Sequence, residues 1–206
     1  MNKCIYCNSD KLYYLKNEHI KCATCKKKFS LKKYKREIKL IESFCKNHTA
    51  LECSKKENLN YITVSNKFML FRKLITTFLH EEYKKRKNSK SEFDEYIYIK
   101  NENLKSSQNF LTFNYEGYIY NLMLPSLNKF GNTQLKDISK FIKFNKIAML
   151  ESSNSLINDF WNFLESFLKK YKGVDSKNFI YYLKEAEFKF NYSNKAQEDI
   201  LLKLLA

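Results

Sequence analysis

Apolar residues recur every three or four positions between Tyr34 and about Lys87, which is the spacing of helices that bury one face. The pattern is interrupted twice, so three helices fit this segment. Thr49 and Asn60 stand at the interruptions, and both are residue types that cap helix N-termini. Residues 49–67 are therefore predicted to form a helix, a turn and a second helix.

The apolar period changes to two after the polar hinge at residues 88–91. Glu116-Gly117 marks a tight turn between two alternating runs. The elements predicted beyond the hinge are strands at 92–99, 110–115 and 118–124, a helix at 133–142, a strand at 146–150, and helices at 156–171, 176–190 and 195–205. Three antiparallel strands, a helix, a parallel-type strand and then helices is the opening order of an RNase H-like fold.

The first thirty residues carry two Cys-x-x-Cys pairs, Cys4 with Cys7 and Cys22 with Cys25. Two such pairs complete a tetrahedral thiolate shell, for which Zn²⁺ is the usual occupant, and the segments around them fit the three strands of a zinc ribbon. A closed four-Cys site would be structural, because so short a segment cannot otherwise bury a core. The alternatives are a redox Cys-x-x-Cys pair, which needs a surrounding βαβ pattern, and an iron–sulfur cluster.

Cys45 and Cys53 fall outside this spacing and are expected to be half-buried thiols. No apolar run follows Lys3, so we expect no secretory signal, and no stretch approaches the ~18 apolar residues of a membrane-spanning helix. These observations predict a cytoplasmic, nucleoid-associated protein with no membrane partner. Six cysteines in such a compartment favour metal binding over a disulfide framework.

The positive charge is concentrated in the first half of the chain. Of 38 Lys and Arg and 22 Asp and Glu, residues 1–90 hold 23 and 8, whereas the remaining residues hold 15 and 14. AT-rich codon usage also favours Lys, but it would have spread the charge evenly. The asymmetry therefore favours a nucleic-acid-binding N-terminal half over a merely basic surface.

Basic charge and the helix-turn-helix pattern coincide, so the second helix is predicted to be a DNA-recognition helix. The residues predicted to face the major groove are Tyr61, Thr63, Ser65, Asn66 and Lys67. Those predicted to contact phosphates are Arg72, Lys73, Lys84, Lys85 and Arg86. The alternative is a plain three-helix bundle with a solvated basic face.

These features together resemble a family, the bacterial insertion-sequence transposases of the ISXO2-like class. Such proteins join an N-terminal zinc ribbon and helix-turn-helix to an RNase H-like DDE domain. The segments that carry the resemblance are the ribbon from Cys4 to Cys25, the strand Phe93-Asp94-Glu95-Tyr96, the helix around Phe160-Trp161, and the closing runs 171–175 and 183–191. The resemblance implies an acidic trio that holds two Mg²⁺ or Mn²⁺ ions for in-line attack on DNA phosphates.

Matched position by position, the trio is incomplete. Asp94 lies where the family places its first Asp, and Glu151, one methylene longer than Asp, lies at the second position. Asn158 occupies the third position, with Asp159 beside it and facing about 100° away on a helix. The alternatives are a surface carboxylate paired with Lys for Asp94 and a helix N-terminal residue for Glu151. Trp161 is interpreted as core packing.

The sequence thus predicts an α+β protein: a zinc ribbon at 1–33, a three-helix helix-turn-helix domain at 34–90, and a reduced RNase H-like α/β domain with a helical C-terminus at 91–206. The expected function is that of a transposase-like protein that binds double-stranded DNA and whose strand transfer is weakened or lost. The expected cofactors are a structural Zn²⁺ at the four cysteines and Mg²⁺ or Mn²⁺ at Asp94. The expected oligomeric state is a homodimer. One alternative is a domesticated regulator or architectural factor whose C-terminal half dimerises. Another is an active transposase that uses Asp94, Glu151 and Asp159.

Overall fold

The computed structural model describes residues 3–88, 90–98, 107–124, 155–171 and 173–205. These ranges form a mixed α and β structure with two antiparallel three-stranded sheets and six α-helices. The predicted helix at 133–142, the predicted strand at 146–150 and Glu151 lie outside the described residues.

The first sheet lies in the N-terminal thirty residues and has the strand order β1-β2-β3. Its strands are β1 (Leu12–Leu15), β2 (His19–Cys22) and β3 (Lys28–Ser30). Ile20 pairs with Tyr14 on one side and with Phe29 on the other. Ile20 and Phe29 form a small core with Cys4 and Cys22, so half of this core consists of the cysteines themselves.

Three helices follow directly: α1 (Leu31–Cys45), α2 (Ala50–Lys56) and α3 (Tyr61–Arg86). The three helices predicted between 34 and 87 are confirmed, and so is Thr49 as an N-cap. Thr49 Oγ1 accepts from the Glu52 N–H at 3.2 Å, while Glu52 accepts from the Thr49 N–H at 2.6 Å. Asn60 Oδ1 accepts from the Ile62 N–H at 2.8 Å, so Asn60 caps α3 as predicted.

Three phenylalanines form the centre of the helical core. The ring of Phe44 on α1 meets those of Phe68 and Phe71 on α3 edge-on, at centroid distances of 5.1 and 5.4 Å. Cys45 and Cys53 are fully buried, not half-buried as expected, because they pack in this interior. Thiols behave as small apolar side chains, which explains their place there.

The second sheet has the order β4-β5-β6, with β4 (Glu92–Tyr98), β5 (Gln108–Tyr115) and β6 (Tyr118–Met123). Both pairings are antiparallel, as the alternating pattern predicts. Glu116 and Gly117 form the hairpin turn, with φ of 51° and 95°. A left-handed conformation at both central residues matches the twist of the flanking strands.

Helices α4 (Leu156–Leu168) and α5 (Phe179–Asn191) pack against this sheet and against each other, and α6 (Asn194–Leu204) follows. Trp161 on α4 is 4% exposed and its ring lies 4.9 Å from that of Tyr96. Its interpretation as core packing is confirmed. Gly173, with φ of 92°, follows the end of α4.

The described chain divides into two compact units, residues 1–71 with 194–206, and residues 72–193. The boundary falls within α3, whereas the sequence places it at the polar hinge of residues 88–91. The second half of α3 packs with the later elements; the ring of Phe78, for example, lies 6.2 Å from that of Phe188 on α5. Helix α6 packs against α1 and belongs to the first unit.

Candidate metal centre and nucleic-acid interface

The four cysteines of the two Cys-x-x-Cys pairs come together in the first unit. Their Sγ atoms all lie within 4.8 Å of one another, with 3.7 Å between Cys4 and Cys25 and 3.6 Å between Cys7 and Cys22. Zn–S bonds of about 2.3 Å at tetrahedral angles separate the sulfurs by about 3.8 Å. The four thiols therefore fit a single metal ion such as Zn²⁺, whereas an iron–sulfur cluster would divide the thiolates among two or four irons and spread them further.

The backbone shapes the cluster and favours the thiolate of Cys22. The residues that follow each pair, Asn8 and Lys26, have φ of 57° and 61°, so the chain turns sharply after the second cysteine. The N–H of Cys25 is the main cause that lowers the pKa of Cys22 to about 6; burial opposes this shift, and the Thr24 N–H adds to it. The thiolate is the form that binds metal.

The predicted base-reading residues lie at the start of α3, and most of them are exposed. Tyr61, Thr63 and Asn66 are exposed and Ser65 is half-buried. Lys67 instead forms an ion pair with Glu37 on α1. The start of α3 therefore presents an accessible polar surface, without the charge of Lys67.

The predicted phosphate-contacting residues have different environments. Lys73 is exposed, and Lys84, Lys85 and Arg86 pair with Glu81 or Glu82 one turn earlier on the same helix. Arg72 is 4% exposed and its Nε lies 2.6 Å from Glu185 Oε2. Arg72 therefore lies in the interior of the second unit, where phosphate cannot reach it. It does not belong to the predicted phosphate-contacting surface.

Asp94 lies on β4 and is exposed. It pairs across the sheet with Thr112, which in turn pairs with Asn121. Trp161 Nε1 donates to Thr112 Oγ1 at 2.9 Å, so α4 contacts this row of the sheet. The row begins with the carboxylate that the sequence singled out.

Asn158 and Asp159 lie in the first turn of α4. Asn158 is half-buried and precedes Trp161 by three residues, so the two share one side of the helix, whereas Asp159 is exposed. In the parts of the chain that the structure describes, the cysteines form the single group of three or more His, Cys, Asp or Glu side chains able to share a metal ion.

A buried polar network in the second unit has no counterpart in the sequence-based prediction. Thr112 Oγ1 donates to Asn121 Oδ1 at 2.7 Å, and Asn121 N and Nδ2 donate to Glu187 Oε2 at 2.9 and 3.0 Å. Lys184 Nζ donates to the same Glu187 oxygen at 2.8 Å. The network connects α5 to the row of the sheet that contains Asp94.

Burial dominates the electrostatics of this network. It raises the pKa of Glu187, which Lys184 opposes, and it lowers the pKa of Lys184, which Glu187 opposes. The sequence signal that could have revealed the pair is its Lys-to-Glu spacing of three on the helix, but the same spacing also occurs on solvated helices.

The chain is similar in sequence to a curated relative. Over 82 residues it is 34% identical to a protein of Haemophilus influenzae described as an uncharacterized transposase-like protein, and the match covers 37% of this chain and 67% of the relative. The chain therefore belongs to the family of this transposase-like protein. No protein-family model and no solved structure matches.

Within the described ranges, no helix combines the length and the apolar character needed to cross a bilayer.

Proposed function

We propose that the protein is a transposase-like DNA-binding protein of an insertion-sequence family, with strand transfer weakened or lost. The observation that carries this proposal is the relationship to the transposase-like protein of Haemophilus influenzae. The four-cysteine cluster, which fits the zinc ribbon expected of such transposases, adds independent support.

In this proposal, Zn²⁺ has a structural role and residues 34–90 bind double-stranded DNA. The helix pair α2 and α3 acts as the helix-turn-helix, with Tyr61, Thr63, Ser65 and Asn66 toward the bases. Lys73 and the Lys84 to Arg86 run contact phosphates, for which the Lys84 to Arg86 side chains exchange their helix partners for DNA. Charge supports this assignment, since residues 1–90 have a net charge of +15.

Residues 91–206 are proposed to be a reduced RNase H-like domain, and the protein is proposed to form a homodimer. The antiparallel strands β4 to β6, followed by α4 and α5, agree with that architecture. Weakened catalysis follows from the third catalytic position, where Asn158 offers a neutral amide in place of a carboxylate. Any Mg²⁺ or Mn²⁺ would bind at Asp94, with Glu151 as the second ligand.

A second candidate function is a domesticated DNA-binding regulator or architectural factor in the nucleoid. Asn158 is the observation that favours it, because a regulator has no need of a complete acidic trio. Both candidates require DNA binding, so one experiment tests what they share.

The test is binding of the zinc-loaded chain to a labelled DNA duplex over a series of salt concentrations. We expect the logarithm of the binding constant to fall linearly with the logarithm of salt, by about 0.9 for each phosphate contact. Lys73→Gln should reduce that slope by about one contact. Lys195→Gln, which removes an exposed lysine outside the predicted surface, serves as the matched control.

A salt-independent binding constant, or equal slopes for Lys73→Gln and the parent protein, would contradict the proposed DNA surface.

A further inference from the structure

A large groove of the described chain lies in the first unit, and neither the metal site nor the helix-turn-helix explains it. Its volume is about 1370 Å³. Its walls come from the first sheet (β1 to β3) and the segment before it, from α1, from the start of α3 and from α6. Pockets for small ligands are typically about 300–1,000 Å³. We propose that this groove binds single-stranded DNA, an inference that rests on the proposed function for the choice of DNA as the polymer.

The charge lining the groove suits a polyanion. Lys3, Lys28, Lys33 and Lys203 line it; all four are exposed, and none forms an ion pair within the described residues. Lys67 is neutralised by Glu37, which leaves Asp199 as the one lining carboxylate outside an ion pair in the described chain. The unpaired charges therefore sum to a clear positive excess, as the phosphate backbone of a nucleic acid requires.

Aromatic rings form a continuous series along the same walls. The ring of Tyr6 lies 6.1 Å from that of Phe29, which lies 6.5 Å from that of Tyr34, and both contacts are edge-on. Tyr6 is 37% exposed, whereas Phe29 is 7% exposed and supports Tyr6 from the core of the sheet. Lys27 Nζ lies 4.3 Å from the centre of the Tyr6 ring. An exposed ring among lysines is typical of surfaces that hold a single strand, because an unpaired base can stack on the ring whereas a paired base cannot.

The groove meets the predicted recognition helix at Lys67, whose charge Glu37 neutralises, and includes none of the residues proposed to face the bases. Tyr61, Thr63 and Asn66, the exposed residues at the start of α3, do not line it. Variants in the groove can therefore be separated from variants in the recognition helix, and binding of the two forms of DNA can be measured on the same protein.

The experiment compares the zinc-loaded full chain with two groove variants, using fluorescence anisotropy of a labelled oligothymidine of about 15 nucleotides. Tyr6→Ala removes a ring and Lys33→Glu reverses a charge. Each has a matched control outside the groove: Tyr13→Ala, an exposed ring on β1, and Lys32→Glu, the exposed neighbour on α1. Zinc content is checked for every variant.

We expect Tyr6→Ala to weaken oligothymidine binding by about 5- to 150-fold, the range for loss of a stacking ring. We expect Lys33→Glu to weaken it as well, because the substitution reverses a charge beside the phosphate backbone. The controls and duplex binding should change by less than about twofold, small against the cost of one lost stacking contact. Equal losses in variants and controls, or no binding of oligothymidine, would overturn the proposal. So would tighter binding of an oligouridine of the same length, which would assign the groove to RNA. If the parent protein binds oligothymidine but no duplex, the result counts against the proposed function and leaves the groove assignment intact.

Discussion

Glu187 is a buried carboxylate whose position depends on a small number of polar partners. One of its oxygens accepts hydrogen bonds from the main chain and side chain of Asn121 and from Lys184. Lys184 also donates to the Asn121 carbonyl at 2.7 Å and lies 3.5 Å from the centre of the Tyr120 ring. Each partner of the pair therefore compensates for the buried charge of the other, and the pair holds α5 in one register on β6.

Removal of one partner should be costly at this site. We expect Glu187→Ala to lower the free energy of unfolding by about 3–5 kcal/mol, because it leaves the Lys184 ammonium buried without an anion. Urea unfolding followed by circular dichroism measures the difference. Glu81→Ala, which removes the exposed partner of Lys84, is the control and should unfold like the parent protein. Equal stability of Glu187→Ala and the control would show that the pair is solvated.

At the scale of elements, the first sheet (β1 to β3) and the helices that follow it have different sources of stability. Strands β1 to β3 comprise four, four and three residues, and the buried core around them contains only Ile20 and Phe29 besides two of the cysteines. The helices α1 and α3 bury phenylalanines against one another. The sheet should therefore depend on the metal, and the helices should not.

Cys22→Ser tests this dependence. We expect the substitution to weaken zinc binding by more than about 100-fold, beyond the cost of changes outside the ligand shell. The β1 to β3 signals in an NMR spectrum should collapse while far-UV circular dichroism retains the helices. Cys53→Ala removes a buried thiol outside the cluster and should keep the full zinc content. A folded sheet after verified removal of the metal would contradict a structural role.

At the scale of the whole molecule, the choice between an active transposase and an inactive one depends on whether the second unit binds catalytic divalent ions. Asp94 lies in a row of the sheet that α4 contacts through Trp161 and Thr112, so the position proposed as the first catalytic one lies on a strand packed against a helix. Asn158 lies on the same side of α4 as Trp161, and its amide cannot supply the negative charge that two divalent ions require.

We therefore expect no tight, site-specific Mn²⁺ binding when the zinc-loaded protein is titrated in a calorimeter. Asp94→Asn should leave the weak heats unchanged, and neither protein should cleave supercoiled DNA in the presence of Mn²⁺. Tight binding that disappears in Asp94→Asn would contradict lost catalysis and favour an active transposase. Genomic context bears on the same choice, since matched inverted repeats around the gene favour a mobile element and their absence favours domestication.

Local features were predictable from the sequence because each depends on neighbouring residues. The two Cys-x-x-Cys pairs bring four sulfurs within reach of one ion, Thr49 followed by Glu52 forms a capping box, and alternation places β4 to β6 with turn residues between the last two. These patterns act over a few residues, so spacing and residue type are sufficient to recognise them.

Tertiary structure alone decided the environments that depend on distant partners. Arg72 reads as a surface cation in its own segment, yet Glu185, 113 residues later, draws it into the interior. Helix α6 joins the first unit from the end of the chain, and Lys184 and Glu187 are buried on a helix whose charges resemble a solvated face. Sequence by itself determined the elements of the described residues and the four-cysteine cluster, because spacing is local. It could not determine which charges are buried, because burial depends on packing against elements far along the chain.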